Sequence, residues 1–302
     1  MFSTFLIQES PDKSAPNMHY LSSILPLILV ACGVQPHKLD VALPSLQKQL
    51  DCLPPETAMI SAHRGTSKNS SEAENSLEGL KSLMKKGYLM AEIDIARLKD
   101  NTHILFHDGV WEEGSTGRGV VAATTWTDAS KFLLKDSRKG LTSQTIPTLD
   151  DMFKLVAGKI YLEIDFKSSA NYKHVITKIR DYNMTENVIL ISYNAGQAKK
   201  LSKLAPDMMI SVSTHKPQDV QNYRKGQAIA WVGKAVTNKD LMSQLRKTDT
   251  PIIGTLGKEW DSYRAKAADI LVTDYAYNHR PITGLTRQNR DAYKNCLLNY
   301  NK

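Results

Sequence analysis

The sequence predicts a (β/α)8 barrel of the TIM type, and three observations carry that expectation. Eight short apolar runs recur from residue 59 onward, segments with helical apolar spacing separate them, and roughly 220 residues suffice for the series. The expected strands are Met59–Ala62, Met90–Ile95, Ile160–Phe166, Val188–Ile191, Met209–Val212, Ala228–Val232, Ile252–Thr255 and Ile270–Thr273. A doubly wound open sheet is the competing arrangement. It usually has about six strands or fewer, and no Gly-x-Gly-x-x-Gly follows the first strand here.

Between the first two strands, Asn75–Lys86 reads as a helix, with Leu77, Leu80, Leu83 and Met84 on one face. Asn75 with Glu78 forms a capping pattern, and Gly87 suits the C-terminal stop. More than sixty residues lie between the second and third strands, too many for one crossover. Arg97–His107 reads as a return strand after a turn at Asp100-Asn101, which makes a hairpin. A short insertion follows, with Gly114, Gly117, Gly119 and a helical stretch near Thr127–Leu134. Long insertions after barrel strands sit at the catalytic mouth. Trp111 and Trp126 there either line an apolar wall or fill an ordinary core. After the eighth strand, Thr283–Lys302 reads as a closing helix.

The chain has 302 residues, 41 % hydrophobic and 23 % charged, which excludes a disordered tail protein, a collagen-like chain and a polytopic membrane protein. Three cysteines exclude a Cys-rich zinc module. The net charge of +8 is spread without a basic run, and no RNA- or DNA-binding motif appears, so a nucleic-acid partner is not expected. The one sustained apolar run, Tyr20–Ala31, is 12 residues long. That falls short of the roughly 20 a bilayer span needs and fits a signal-peptide core. It ends in Leu29-Val30-Ala31-Cys32-Gly33, which resembles a bacterial lipobox with Cys32 as the lipidated residue. Only Lys13, beside Glu9 and Asp12, supplies a basic flank, and Met18 is an alternative start.

The expected organisation is therefore a signal peptide over 1–32, a linker over 33–57 with one short helix near Leu43–Leu50, and the barrel over 58–302. The expected location is outside the cytoplasm, tethered to a membrane through the Cys32 lipid or otherwise secreted. With Cys32 lipidated, Cys52 and Cys296 remain as a pair for an oxidising compartment, although spacing does not show whether they meet.

Charges at strand ends carry the chemistry. Strand side chains alternate, so Glu92 and Asp94 share a face, as do Glu163, Asp165 and Lys167. Carboxylates converging at a barrel mouth repel one another unless a cation joins them, and an all-oxygen donor set suits Mg²⁺ or Ca²⁺. His63 and His107 each end a strand, and two histidines beside a cation suit proton removal and donation at a phosphodiester. Arg64 and Lys167 supply charge for the phosphate.

Taken in order, His63-Arg64-Gly65, Glu74-Asn75-Ser76, Glu92-x-Asp94, His107-Asp108, Ile146-Pro147-Thr148-Leu149-Asp150 and Leu162–Lys167 closely resemble the glycerophosphodiester phosphodiesterase family. Val272-Thr273-Asp274 extends the likeness toward the C-terminus. The resemblance implies a TIM barrel that uses one divalent cation to release an alcohol and glycerol 3-phosphate, with the substrate's neighbouring glycerol hydroxyl attacking phosphorus. By position it implies His63 and His107 as the acid/base pair, Glu92, Asp94 and Asp165 as metal ligands, and Arg64 and Lys167 on the phosphate. The family usually has Glu-x-Lys where this chain has Asp165-Phe166-Lys167. Glu163 could assist, although it lies about 6.6 Å further down the strand. Pro-Glu-Asn-Thr of the family reads Ala73-Glu74-Asn75-Ser76 here, and a Thr often found near Leu98 is missing. The alternatives are a phosphodiesterase acting on lysophospholipids and an idle barrel that binds lipid or a surface.

Overall fold

The computed structural model describes residues 43–300; the expected signal peptide, Cys32 and the first part of the expected linker lie outside the described residues. The described chain starts with α1 (Leu46–Asp51), followed by β1 (Ala58–Ala62), α2 (Leu77–Lys85), β2 (Met90–Arg97) and β3 (His103–Leu105). An insertion with α3 (Trp126–Ala129), β4 (Leu133–Lys135) and β5 (Leu141–Thr145) leads into α4 (Leu149–Val156) and β6 (Tyr161–Phe166). Regular alternation follows: α5 (Tyr172–Asp181), β7 (Val188–Ile191), α6 (Ala195–Leu204), β8 (Met209–Ser213), α7 (Gln218–Gln221) and β9 (Ala228–Gly233). The chain ends with α8 (Lys239–Lys247), β10 (Ile252–Thr255), α9 (Ser262–Ala267), β11 (Ile270–Thr273), β12 (Ile282–Thr283) and α10 (Arg287–Asn299).

The parallel strands β1, β2, β6, β7, β8, β9, β10 and β11 pair in that order, and β11 pairs back onto β1, closing the barrel. Alternation along each strand sorts its side chains. Ala58, Ile60 and Ala62 face outward with Leu80 and Leu83 of α2, in the shell between sheet and helices. Met59, Met90, Tyr161, Ile189, Met209, Ile229, Ile253 and Ile270 point inward and fill the floor of the barrel. Above this floor the inward positions turn polar, and the site sits there.

Leu46 and Leu50 of α1 join the floor layer, and the Pro44 carbonyl accepts from Tyr161 Oη (2.8 Å) and Asn187 Nδ2 (3.1 Å). The described part of the expected linker therefore plugs the N-terminal end of the barrel instead of spanning free space. Its apolar positions were sparse enough to read as a spacer. α10 lies against this plug, with Gln49 Nε2 donating to Tyr293 Oη at 2.5 Å. Cys52 and Cys296 form a disulfide that joins the two helix ends.

Other expectations change in detail. The cap of α2 is Ser76, whose hydroxyl accepts from Gly79 N, because Asn75 is engaged elsewhere. The return strand is only the three residues of β3, since β2 itself runs on to Arg97. The helix expected near Thr127–Leu134 is the single turn α3, and Leu133 and Leu134 begin β4 of a small antiparallel hairpin. β12 adds a short antiparallel pairing to β1 before the closing helix. Trp111 is fully buried between Phe106 (4.8 Å between ring centroids) and Phe132 (5.2 Å), and Trp126 packs at the edge of the same cluster. Both tryptophans are core of the insertion.

Candidate active site

The chain turns sharply after β1. Arg64 and Gly65 both adopt left-handed backbone (φ 54° and 69°), a conformation that costs a β-carbon-bearing residue and persists only where surroundings hold it. Here the turn aims the Arg64 amide at Glu92, donating to Oε2 at 2.8 Å. Gly79 of α2 lets that turn approach, since a β-carbon there would lie 2.6 Å from the Gly65 carbonyl oxygen.

Glu92 and Asp94 on β2 and Asp165 on β6 present one carboxylate oxygen each within 4.8 Å of one another, and all three side chains are buried. Lys167 Nζ bridges Asp94 Oδ1 and Asp165 Oδ2, at 2.7 Å from each. Tyr193, just past β7, donates its hydroxyl to Asp165 Oδ2 at 2.6 Å. Asn75 holds Asp94 from both sides: Nδ2 donates to Oδ2 (2.7 Å), and Oδ1 accepts from the Asp94 amide (2.9 Å). Burial and the neighbouring Asp94 push the Glu92 carboxyl well above its usual range. Burial works the same way on Asp94, but Lys167 and Asn75 outweigh it and bring that carboxyl below its usual value.

Each histidine is backed by a carboxylate. His63 Nδ1 lies 2.6 Å from Asp274 Oδ1, and Lys68 Nζ donates to the other oxygen at 2.7 Å. The hydrogen bond from His63, with Lys68 beside it, holds Asp274 far below the usual carboxylate range. An ionised Asp274 accepts, so Nδ1 carries the proton and Nε2 is left toward the mouth, 3.8 Å from Glu92 Oε2. His107 Nδ1 lies 2.7 Å from Asp108 Oδ1, while its Nε2 is 2.9 Å from Arg64 Nη2. A guanidinium only donates, so His107 Nε2 accepts in this arrangement. Arg64 is steadied in turn by Glu74, at 2.8 Å.

The residues fit a hard divalent cation. Three buried carboxylates converge on one point, Asp165 Oδ1 is buried without a hydrogen-bond partner among the described residues, and the donors are all oxygen. Glu163 lies one step deeper, opposite Glu92 in register, and stands outside this trio. Among the described residues neither of its oxygens has a hydrogen-bond partner, and burial pushes its carboxyl up to about 7.

All seven residues expected from the sequence thus border one mouth: His63, Arg64, Glu92, Asp94, His107, Asp165 and Lys167. Sequence reasoning gave no part in the site to Asp274, Asp108, Tyr193 or Trp231, and gave Asn75 only a helix cap. Asp274 and Asp108 had a signal, since each closes or follows a strand inside a quoted motif. Tyr193 and Trp231 had none, and Trp231 rather than Trp111 or Trp126 joins Ile191 and Val272 in the apolar wall.

The model of the glycerophosphoryl diester phosphodiesterase family matches residues 63–249. A glycerophosphodiester phosphodiesterase of Caldanaerobacter subterraneus is 30 % identical over 162 residues, 51 % of this chain and 65 % of that protein. The matched region therefore spans just under two thirds of that relative's length. Among solved structures, a glycerophosphoryl diester phosphodiesterase of Parabacteroides distasonis superposes with a TM-score of 0.67 at 23 % identity, covering 78 % of this chain and 90 % of its own. A phosphodiesterase of Oleispira antarctica, solved with the product sn-glycerol-3-phosphate, superposes at 0.57 and 17 % identity, covering 76 % and 96 %. These structures share the barrel, and the extent of the family match settles membership: the chain belongs to the glycerophosphoryl diester phosphodiesterase family.

Proposed function

We propose that this chain is a metal-dependent phosphodiesterase that hydrolyses glycerophosphodiesters to an alcohol and glycerol 3-phosphate. The observation that carries the reading is the pairing of two carboxylate-backed histidines with a buried acidic trio in one mouth. The product bound by the Oleispira antarctica relative is consistent with it. Glu92, Asp94 and Asp165 would hold the cation, which supplies charge neutralisation at the phosphate. Arg64 and Lys167 would grip the phosphate oxygens, Arg64 in a fork geometry. One histidine Nε2 takes the proton from the substrate's own neighbouring glycerol hydroxyl as that oxygen bonds to phosphorus. The other histidine gives a proton to the departing alcohol oxygen. Water then opens the cyclic phosphate, with the two proton transfers reversed.

We extend the proposal to export, with a membrane tether through Cys32. The Cys52–Cys296 disulfide supports an oxidising compartment. A second reading, action on lysophospholipids, draws on the apolar wall of Ile191, Trp231 and Val272.

The test is release of glycerol 3-phosphate from glycerophosphocholine with Mg²⁺, with Ca²⁺ and with EDTA, for the parent and for His63→Ala and His107→Ala. The expected result is metal-dependent turnover that falls by about 10²- to 10⁴-fold in either variant. Choline release from lysophosphatidylcholine alone would favour the second reading. A folded, metal-binding protein silent on both would leave the idle barrel.

A further inference from the structure

The barrel wall is incomplete on one side. Only the residues from 214 to 227 join β8 to β9, and they hold a single helical turn, whereas α5 and α6 have 10 residues each. A furrow of about 1100 Å³ fills the missing helix volume between α6 and α7. Tyr193 and Ser213 line both this furrow and the mouth pocket of about 190 Å³ that contains the acidic trio, so the two spaces adjoin.

The furrow is cationic. Lys199 of α6, His215 and Lys216 after β8, and Arg224 after α7 line it. Its one lining carboxylate among the described residues, Asp219, has an oxygen already occupied by the amides of His215 (2.8 Å) and Lys216 (3.1 Å). Arg224 donates to the neutral Pro206 carbonyl at 2.7 Å and forms no ion pair among the described residues. Lys199 and Lys216 pair with no carboxylate among the described residues. The cleft on the opposite flank, of about 260 Å³, contrasts with it: four carboxylates, among them Glu113 and Asp136, offset its basic residues.

The mouth pocket has room for a phosphate and a three-carbon polyol, so the rest of a larger substrate must leave along an open side. Resting on the phosphodiesterase reading above, we propose that the furrow receives the alcohol arm of the substrate when that arm carries a second phosphate or phosphodiester, with Lys199 and Lys216 setting the preference. Lys199 and Lys216 are exposed, and exposed cations act through orientation and long-range attraction, so the contribution is modest and sensitive to salt.

The full chain, and its Lys199→Ala/Lys216→Ala and Lys199→Glu/Lys216→Glu variants, are assayed on bis(glycerophospho)glycerol, which has two phosphodiesters, and on glycerophosphocholine. In the alanine variant KM for the bis-phosphodiester rises about five- to tenfold with kcat unchanged, the scale of two exposed ion pairs. Glycerophosphocholine kinetics stay within about twofold, and the charge reversal goes further. The parent's preference fades as salt rises from about 0.05 to 0.5 M. Equal changes on both substrates, no change on either, or a preference indifferent to salt would overturn the proposal. Calorimetric titration of bis(glycerophospho)glycerol into the same proteins reads the furrow independently of catalysis. Lysine-dependent binding without turnover of either substrate would therefore defeat the phosphodiesterase reading and leave the furrow assignment standing.

Discussion

Asn75 shows how a local pattern can mislead at the scale of one residue. An Asn three positions ahead of Glu78 satisfies a helix-capping rule, yet its backbone is left-handed (φ 56°) and its side chain is spent on Asp94. Ser76 was available to cap the helix, and so Asn75 was free to hold a buried carboxylate. Charge alternation made Glu92, Asp94 and Asp165 legible, because period two places them on one face without knowledge of the fold. The partnership of His63 with Asp274 spans 211 residues, and no spacing rule reaches that far. His103 carries the pH prediction. Burial, with His174 stacked at 4.4 Å, pushes its imidazole down to about 4. An unfolded chain takes up that proton near pH 6.5, so its contribution is intact above this value and is lost as pH falls from about 6.5 to about 4. The full loss is about 3 kcal/mol. His103→Gln, which keeps an acceptor for the Asn171 amide, should flatten this stretch of the stability curve in urea melts between about pH 7 and 4.5.

Among the elements, those with apolar faces were readable and those without were not. Val188–Ile191, Ile252–Thr255 and Ile270–Thr273 appear with the boundaries their apolar runs suggest. β5 was missed because Leu141–Thr145 is polar and alternately exposed, and its pairing with β4 supplies what composition lacks. α1 was foreseen as a helix, but its task was not. Its six residues bury Leu46 against the barrel floor. Leu46→Ala should therefore cost about 2–4 kcal/mol through the cavity it opens. For a domain of this size that is about 5–12 °C in the thermal midpoint. Turnover measured well below the transition should be unchanged, because the floor lies at the end of the barrel away from the mouth. Calorimetry with parallel kinetics checks both halves of the prediction.

At the scale of the whole molecule, closure is doubled. The sheet closes through β11 on β1, and the chain closes through Cys52 on Cys296, a separation of 244 residues. Linking positions so far apart restricts the unfolded ensemble, which is worth about 2–5 kcal/mol. Cys296→Ser, or reduction of the parent, should lower the midpoint by several degrees and leave the Cys52→Ser/Cys296→Ser double variant insensitive to reductant. Melting curves that coincide with and without reductant would show that the bond does not contribute. The fold class was legible from repetition alone, whereas this bond was one option among others until the plug and α10 were seen side by side. From residue 52 to residue 296 the polypeptide is a covalent ring. A single protease cut in any loop of that ring opens it without separating fragments, and the nicked protein runs as one piece until its disulfide is reduced.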